Sequence, residues 1–377
     1  MKTEIKSFLW IRKLYRTRWF WTIKNWIKEL IQKSPHNISI LDDRDQLDDA
    51  DQVLLTWPAE HVKPSVGLVR DRNNPPYWTK YERFLRNNQF PYEYFDIHRS
   101  DWLEAAKPFD VIIWGFEGVA PEIDEHKRKI YTLEHICGKN CFPSFETSMW
   151  YEDKIYQYEW LKLNKFPIVE TFVSHSYSET IERIKQSTYP MVSKVHVGAA
   201  SLGVELVNSA RQAQAIARQV FSPLGRKTYW PYFRQKGYVY LQNFLPNQGY
   251  DLRVIAVGNR AFGYYRDVPK AEFRASGMGL VRKAALPEDA VKLAMRLIRE
   301  LNLVIASVDM LRDLDGKLYI IEVQPNITVE TPEQLHVDGT PGAYVFDSSG
   351  SYKFEPCKLW IQELALHEYF KRWGASR

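Results

Sequence analysis

The stretch that most restricts the fold is SVDMLRDLDGKLYIIEVQPN, residues 307–326: two apolar runs around a D-G turn, each holding one acid. A carboxylate inside an apolar strand is costly unless something pairs with it. With residues 314–317 as a four-residue hairpin loop, Asp313 pairs with Leu318, and counting back sets Asp309 opposite Glu322. Cβ atoms of such a cross-strand pair lie about 4.5 to 5.5 Å apart, where like charges repel. Either the register differs from this count or something cationic belongs between the two acids.

A chain of 377 residues can bury two or three packed lobes without a staple. Its 45% hydrophobic and 26% charged residues exclude general disorder, and 14% aromatics suit surfaces that stack or sit at an interface. Cys137, Cys141 and Cys357 are too few and scattered for a disulfide framework, and the lone C-x3-C pair lacks the second pair of a structural zinc site. Buried thiols in a reducing cytosol are the expectation.

The charge of +5 is local: residues 1–35 hold nine Lys or Arg against two Glu, a net of +7 that leaves −2 for the rest. At 100° per residue, Tyr15, Trp19, Phe20, Ile23, Trp26, Ile27, Leu30 and Ile31 share one face of a helix, with Arg18, Lys24 and Lys28 opposite. Residues 8–31 therefore suit an anionic membrane surface, or packing on the protein's own body or a second subunit; nucleic acid is not an expected partner. The segment reads as neither a transmembrane span nor a signal peptide, and a cytoplasmic protein, or one held peripherally on the membrane's cytoplasmic face, is the expectation. Residues 36–64, with DDRDQLDDAD, read as an acidic linker.

From residue 65 to 145, strand and helix signals alternate as in a small α/β lobe with a parallel sheet. A second lobe, 146–235, runs helix 150–163, strand PIVETFV, helix 177–187, strand PMVSKV, a small-residue loop, strand GVELV and helix 208–221. A third, 236–345, opens with antiparallel strands, continues through helix 287–302 and ends in the acid hairpin; residues 346–377 close as a helix.

Lys194 ends a buried strand and precedes small residues from Gly198 through Ser201 to Gly203. Small side chains let backbone N–H groups approach phosphate oxygens, and a strand lysine adds a point charge, although an exposed glycine hairpin would read the same way. Arg253, Arg266 and Arg274 lie near strand ends or loops, where guanidinium forks suit phosphate or carboxylate oxygens. His196 beside the loop reads as a spacer more readily than as a catalyst, and TYWPYF (228–233) as packing more readily than as a stacking platform.

In that order, these segments resemble the ATP-grasp superfamily, in its branch of glutathione synthetase and protein glutamate ligases. YEDKIYQYEWLKLNKFPIVETF is similar to the family's lysine-bearing helix and strand, making Lys154 the first nucleotide lysine; PMVSKVHVGAASLGVEL makes Lys194 the second. VYLQNFLPNQGYDLRVIAVGNRAFGYYR resembles the hinge and D-x-R strands, so Gln242, Asn243, Phe244 and Leu245 would line adenine and Arg253 and Arg266 would face phosphate or substrate. FRASGMG resembles the substrate-side loop and implicates Arg274.

The resemblance implies an ATP-grasp fold preceded by an α/β domain, the two subdomains falling at 146–235 and 236–345. It also implies ATP and Mg2+ as cofactors, with Asp309 and Glu322 as metal ligands. The family's E-V-N is here E-V-Q, so Gln324, or Asn326 two residues on, would take the third ligand position. The implied reaction joins a carboxylate to an amine through an acyl phosphate, on a peptide or, if the basic helix binds membrane, a cell-envelope glycan. An ATP-dependent kinase on the same grip and a non-catalytic nucleotide scaffold are the alternatives. A homodimer is compatible with the sequence.

Overall fold

The computed structural model describes residues 40–375, apart from 48, 117–119, 199–202, 229, 231–232, 270–271, 276–279, 326 and 328. The basic segment 8–31, Ser201 and Asn326 lie outside the described residues.

The first lobe is the parallel sheet that the alternation predicts. Strands β1 (Val66–Leu68), β2 (Tyr92–Tyr94), β3 (Val111–Ile113) and β4 (Asn140–Phe142) run in the order β2-β1-β3-β4, all parallel. Helices α1 (Trp78–Asn87), α2 (Trp102–Ala106) and α3 (Ala120–Tyr131) supply the crossovers. Val66, Leu68, Val111 and Ile113 are fully buried, as strands covered on both faces must be.

The second lobe begins with a difference from the sequence pattern. The helix expected over 150–163 is two helices, α4 (Phe145–Trp150) and α5 (Lys154–Leu163). Glu152 between them has φ 54°, which no helix accommodates, and Asp153 then caps α5 by accepting from Ile155 N–H at 3.2 Å and Tyr156 N–H at 3.1 Å. Strands β5 (Thr171–Ser174), β6 (Met191–Lys194), β7 (Val204–Val207) and β10 (Val239–Asn243) form an antiparallel sheet ordered β5-β10-β6-β7, backed by α6 (Tyr177–Gln186) and α7 (Ala210–Val220). The short pair β8 (Arg226–Lys227) and β9 (Arg234–Gln235) precedes β10. Although the sequence grouping opens a new lobe at 236, β10 belongs to this earlier sheet.

The third lobe is one antiparallel sheet built on β11 (Asn247–Val257), β12 (Arg260–Asp267), β14 (Ile305–Asp313) and β15 (Leu318–Gln324), with β13 (Val281–Arg282) on β12. Helix α8 (Glu288–Glu300) covers one face: Ala290, Val291, Ala294, Leu297 and Ile298 pack with Val254, Ala256, Ala306, Val308 and Met310 in the main core. The alternate residues of β11 and β14 therefore look the other way, into the cleft described below. Beyond β15 the structure corrects the sequence reading: no strand is expected at β16 (His336–Val337) or β17 (Thr340–Phe346), and the stretch expected to be helical from 346 holds β18 (Tyr352–Pro356), which extends the sheet before the helix α9 begins at Ile361 (Ile361–Ala375).

Helix α9 returns to the first lobe and packs on α1. Phe370 stacks on Phe90 at 4.3 Å and on Phe84 at 6.2 Å, and buried Arg83 Nη1 meets buried Glu363 Oε1 at 2.6 Å. Burial pushes the Glu363 carboxyl up to about 7 against the opposing pull of Arg83. Removing one partner of such a pair leaves an uncompensated buried charge. Arg83→Leu should cost about 3 to 5 kcal/mol in urea denaturation, and Glu363→Gln added to it should recover much of the loss; an additive double variant would show that the two groups do not act as a pair.

Candidate active site

The acid hairpin keeps the expected pair through two compensating departures. Leu318 pairs with Arg312, not Asp313, and the loop is closed by Asp313 N–H to Lys317 O at 3.0 Å and Lys317 N–H to Asp313 Oδ1 at 2.8 Å. A bulge on β15 between Ile320 and Glu322 then restores the register, so Asp309 does face Glu322. The loop is longer than four residues, and the extra residue is taken up before the acids are reached.

Four neighbouring strands set the charged row. Arg253 of β11 pairs in register with Asp309 of β14, and Asp309 with Glu322 of β15; one step along, Asp251 pairs with Arg266 of β12. Arg253 grips Asp309 bidentately, Nε to Oδ1 at 2.7 Å and Nη2 to Oδ2 at 2.8 Å, and Arg266 Nη2 lies 2.6 Å from the same Oδ2. Arg266 Nε also binds Asp251 Oδ1 at 2.5 Å. Gly263 makes this close approach feasible, because a β-carbon there would lie 2.1 Å from the Arg253 carbonyl oxygen.

Electrostatics follow from burial and these partners. Burial raises Asp309, but Arg253 and Arg266 outweigh it and hold the carboxyl well below the ordinary range. Asp251 is pushed up to about 6, chiefly by burial, with Arg266 opposing and Asp309 adding to the rise. The cation that the Asp309–Glu322 pair calls for is in this structure supplied by the protein: arginines on Asp309, and on Glu322 the Lys154 Nζ at 2.8 Å.

Lys154 enters from the other lobe at the first turn of α5, where Asp153 caps the helix, and also donates to Gly198 O at 2.7 Å. Lys194, at the end of β6, is treated differently. It is 8% exposed, lies 5.8 Å from the Tyr240 ring centre, and has no hydrogen bond or ion pair among the described residues. Burial lowers it to about 8, with Glu322 opposing and Lys154 reinforcing the fall. An unpaired cation in a cleft otherwise made of matched pairs is a place for an anion.

Between the two antiparallel sheets lies a cleft of about 860 Å³, its open mouth included. It brings together Lys154, Lys194, Gly198, Gln242, Asn243, Phe244, Leu245, Arg266, Arg274, Asp309 and Glu322, most of the residues singled out in the sequence. Arg253 reaches the site through Asp309. Arg274 lines the cleft and is bound to Glu272 at 3.0 Å. The Gln242 side chain binds Thr171 Oγ1 at 3.0 Å and that of Asn243 binds Glu170 Oε2 at 3.2 Å. Gly203 is required where it stands: its φ is 79°, and a β-carbon would meet Val195 Cγ2 at 2.4 Å. His196 is fixed by Tyr238, Nδ1 to the hydroxyl at 2.8 Å, and its carbonyl accepts from Lys154 N–H at 3.0 Å.

Two acids of the site were not among the sequence candidates. Asp251 stands two residues before Arg253 on a strand, hence on the same face, and that parity was the available signal. Glu152 had none; it enters because Gln324 reaches it, Nε2 to Oε1 at 3.0 Å.

A cleft between two antiparallel sheets, with a strand lysine and a helix lysine from one lobe facing an acid hairpin and arginines from the other, defines the ATP-grasp class. Residues 151–338 match the family described as the RimK-like ATP-grasp domain, and that part of the chain belongs to it. A probable alpha-L-glutamate ligase of Haemophilus influenzae (strain PittEE) is 22% identical over 317 residues, covering 82% of this chain and 88% of that protein. The fold is shared with a RimK domain ATP-grasp protein from Sphaerobacter thermophilus DSM 20745: TM-score 0.50, 20% identity, 69% of this chain and 90% of that one. It is shared too with an ADP complex of N5-carboxyaminoimidazole synthetase from Staphylococcus aureus: TM-score 0.50, 13% identity, 71% and 72% covered.

Because phosphate beside Lys194 would raise its depressed pKa, ADP binding should take up about half a proton near pH 8. Affinity should then fall with rising pH, approaching tenfold per unit above about 8. Calorimetry in two buffers of different ionisation enthalpy reads the uptake; none at pH 8 would remove Lys194 from the phosphate site.

Proposed function

We propose that the protein is an ATP-dependent carboxylate–amine ligase whose amine is an α-amino acid of the glutamate type. The observation that carries this reading is the charged row: Arg253 and Arg266 converge on Asp309, Glu322 faces it, and Lys194, unpaired among the described residues, looks in from the opposite sheet. The match along most of a probable glutamate ligase supports the choice of amine.

The donor set suits a hard divalent cation. Asp309 and Glu322 are carboxylates on adjoining strands that line the cleft, and Mg2+ takes one or two protein carboxylates with phosphate oxygens and water rather than a full protein cage. Among the described residues no group of three or more His, Cys, Asp or Glu could hold a metal by itself. Asp309 and Glu322 would hold such an ion, which would supply charge neutralisation to the nucleotide's phosphates.

The chain's own residues would then orient and balance charge. Gln242 to Leu245 flank the base at the β10 end of the cleft, and Lys154 and Lys194 take phosphate oxygens. A substrate carboxylate oxygen attacks the γ-phosphorus as its bond to ADP breaks. The amine then attacks the acyl carbon, loses a proton and expels phosphate. Positioning and electrostatic stabilisation supply the catalysis, so no side-chain nucleophile is required.

The test is a product balance. With ATP, a carboxylate pool and L-glutamate, ADP and phosphate should appear in step with an amide, and hydroxylamine should trap the activated carboxylate as a hydroxamate. Asp309→Asn should lower kcat by about 10² to 10³ without unfolding the protein. A phosphorylated hydroxyl compound that accumulates with no amine present would replace ligase by kinase.

An envelope glycan as the carboxylate, and attachment at the membrane surface, rest on residues 8–31. No helix among the described residues is long and apolar enough to cross a membrane. Deleting residues 1–35 should move the protein from the membrane to the soluble fraction, and unchanged sedimentation with membranes would end that part of the reading.

A further inference from the structure

Gln324 stands where the resemblance expects an asparagine to meet a metal, and its longer arm reaches elsewhere. Its Nε2 donates to Glu152 Oε1 at 3.0 Å and to Glu322 Oε1 at 2.9 Å, while its Oε1 accepts from the Glu152 N–H at 3.4 Å. Two carboxylates on one side and a backbone N–H on the other fix which end of the carboxamide is nitrogen. In this arrangement the end turned toward Glu322 is a donor, which cannot ligate a cation.

The contacts continue into a closed ring. The second oxygen of Glu152 accepts from Gly198 N–H at 3.1 Å, Gly198 O accepts from Lys154 Nζ at 2.7 Å, and Lys154 Nζ returns to Glu322 Oε1 at 2.8 Å. Both peptide groups flanking the Gly198 α-carbon are thus held, one by Glu152 and the other by Lys154. Glu152 is only 5% exposed and adopts the left-handed backbone that separates α4 from α5. A buried carboxylate in such a conformation persists only where its surroundings over-determine it, and a satisfied polar ring is a physical reason for it to do so. The ring joins three separate pieces of the site: the start of α5, the exit of β6 and the end of β15.

We propose that Glu152 and Gln324 are positioning residues of the nucleotide site. Their ring sets Gly198 and the Lys154 ammonium against the acid hairpin before any nucleotide arrives, and Gln324 is a strut of that ring rather than a metal ligand. A carboxamide one methylene shorter would keep the oxygen but lose the reach to Glu152, so Gln324→Asn separates the two roles. This inference assumes a nucleotide site, as the proposed function does, but not that any ligation follows.

Titration of the full chain with ADP, with and without Mg2+, provides the test. Gln324→Asn should weaken Mg-free ADP binding about tenfold and leave the enhancement given by Mg2+ unchanged. Glu152→Ala should do the same, and the double variant should be no weaker than either single one, because both break one ring. If Gln324→Asn instead binds Mg-free ADP like the parent and loses the Mg2+ enhancement, Gln324 is a ligand and the inference is wrong. A double variant whose losses add overturns it equally. Hydrogen exchange of the Gly198 amide in nucleotide-free Gln324→Asn needs neither ADP nor a foldable Glu152→Ala; it should be faster than in the parent, and an unchanged rate refutes the ring.

Discussion

The site depends on the Asp309 carboxylate, which is held from one side by two guanidinium groups and faces Glu322 on the other. Two acids cannot sit across neighbouring strands in an apolar sheet without cations, and here four carboxyl groups (Glu152, Asp251, Asp309, Glu322) stand among four cations (Lys154, Lys194, Arg253, Arg266), three of them ion-paired and Lys194 without an ion pair among the described residues. A buried cluster of matched charge avoids the desolvation penalty that either sign alone would carry. A polyphosphate bound as proposed would enter by exchanging partners: its oxygens would take over lysine and arginine, and the acids so released would be left to face a cation.

The sheet explains why these side chains can be so close. Strand register, not loop flexibility, sets Arg253, Asp309 and Glu322 in a row, and residues on rigid strands are held more closely than residues on loops. The opposite face of the same strands is closed by α8, so the apolar side anchors what the polar side presents.

Much of this was legible in the sequence because period-two alternation and a D-G turn carry register. The Asp309–Glu322 pairing emerged from counting, although the count succeeded only because a longer loop and a bulge at Ile321 cancel. The order of lobes and the fold class were readable from segment order. What was not readable depends on tertiary contact. The break at Glu152 has no glycine or proline to announce it, and its left-handed backbone accompanies hydrogen bonds to Gly198 and Gln324 far along the chain. The allegiance of β10 to the earlier sheet is likewise a pairing choice that local pattern cannot express. The strands over 340–356 did show alternation around DSSG, and reading the chain's end as a plain helix passed over it.

The contact of α9 with α1 bears on the order in which a ribosome could deliver this protein. Arg83 and Glu363 are 280 residues apart, and Phe84 and Phe90 pack against Phe370. The amino-terminal lobe therefore emerges early with an aromatic surface that stays uncovered until nearly the whole polypeptide has been synthesised. At about 5 to 20 residues per second, that interval lasts roughly 14 to 56 seconds. A nascent chain of this design offers a sticky face to chaperones throughout its translation, and truncation near the carboxyl end would strand it there.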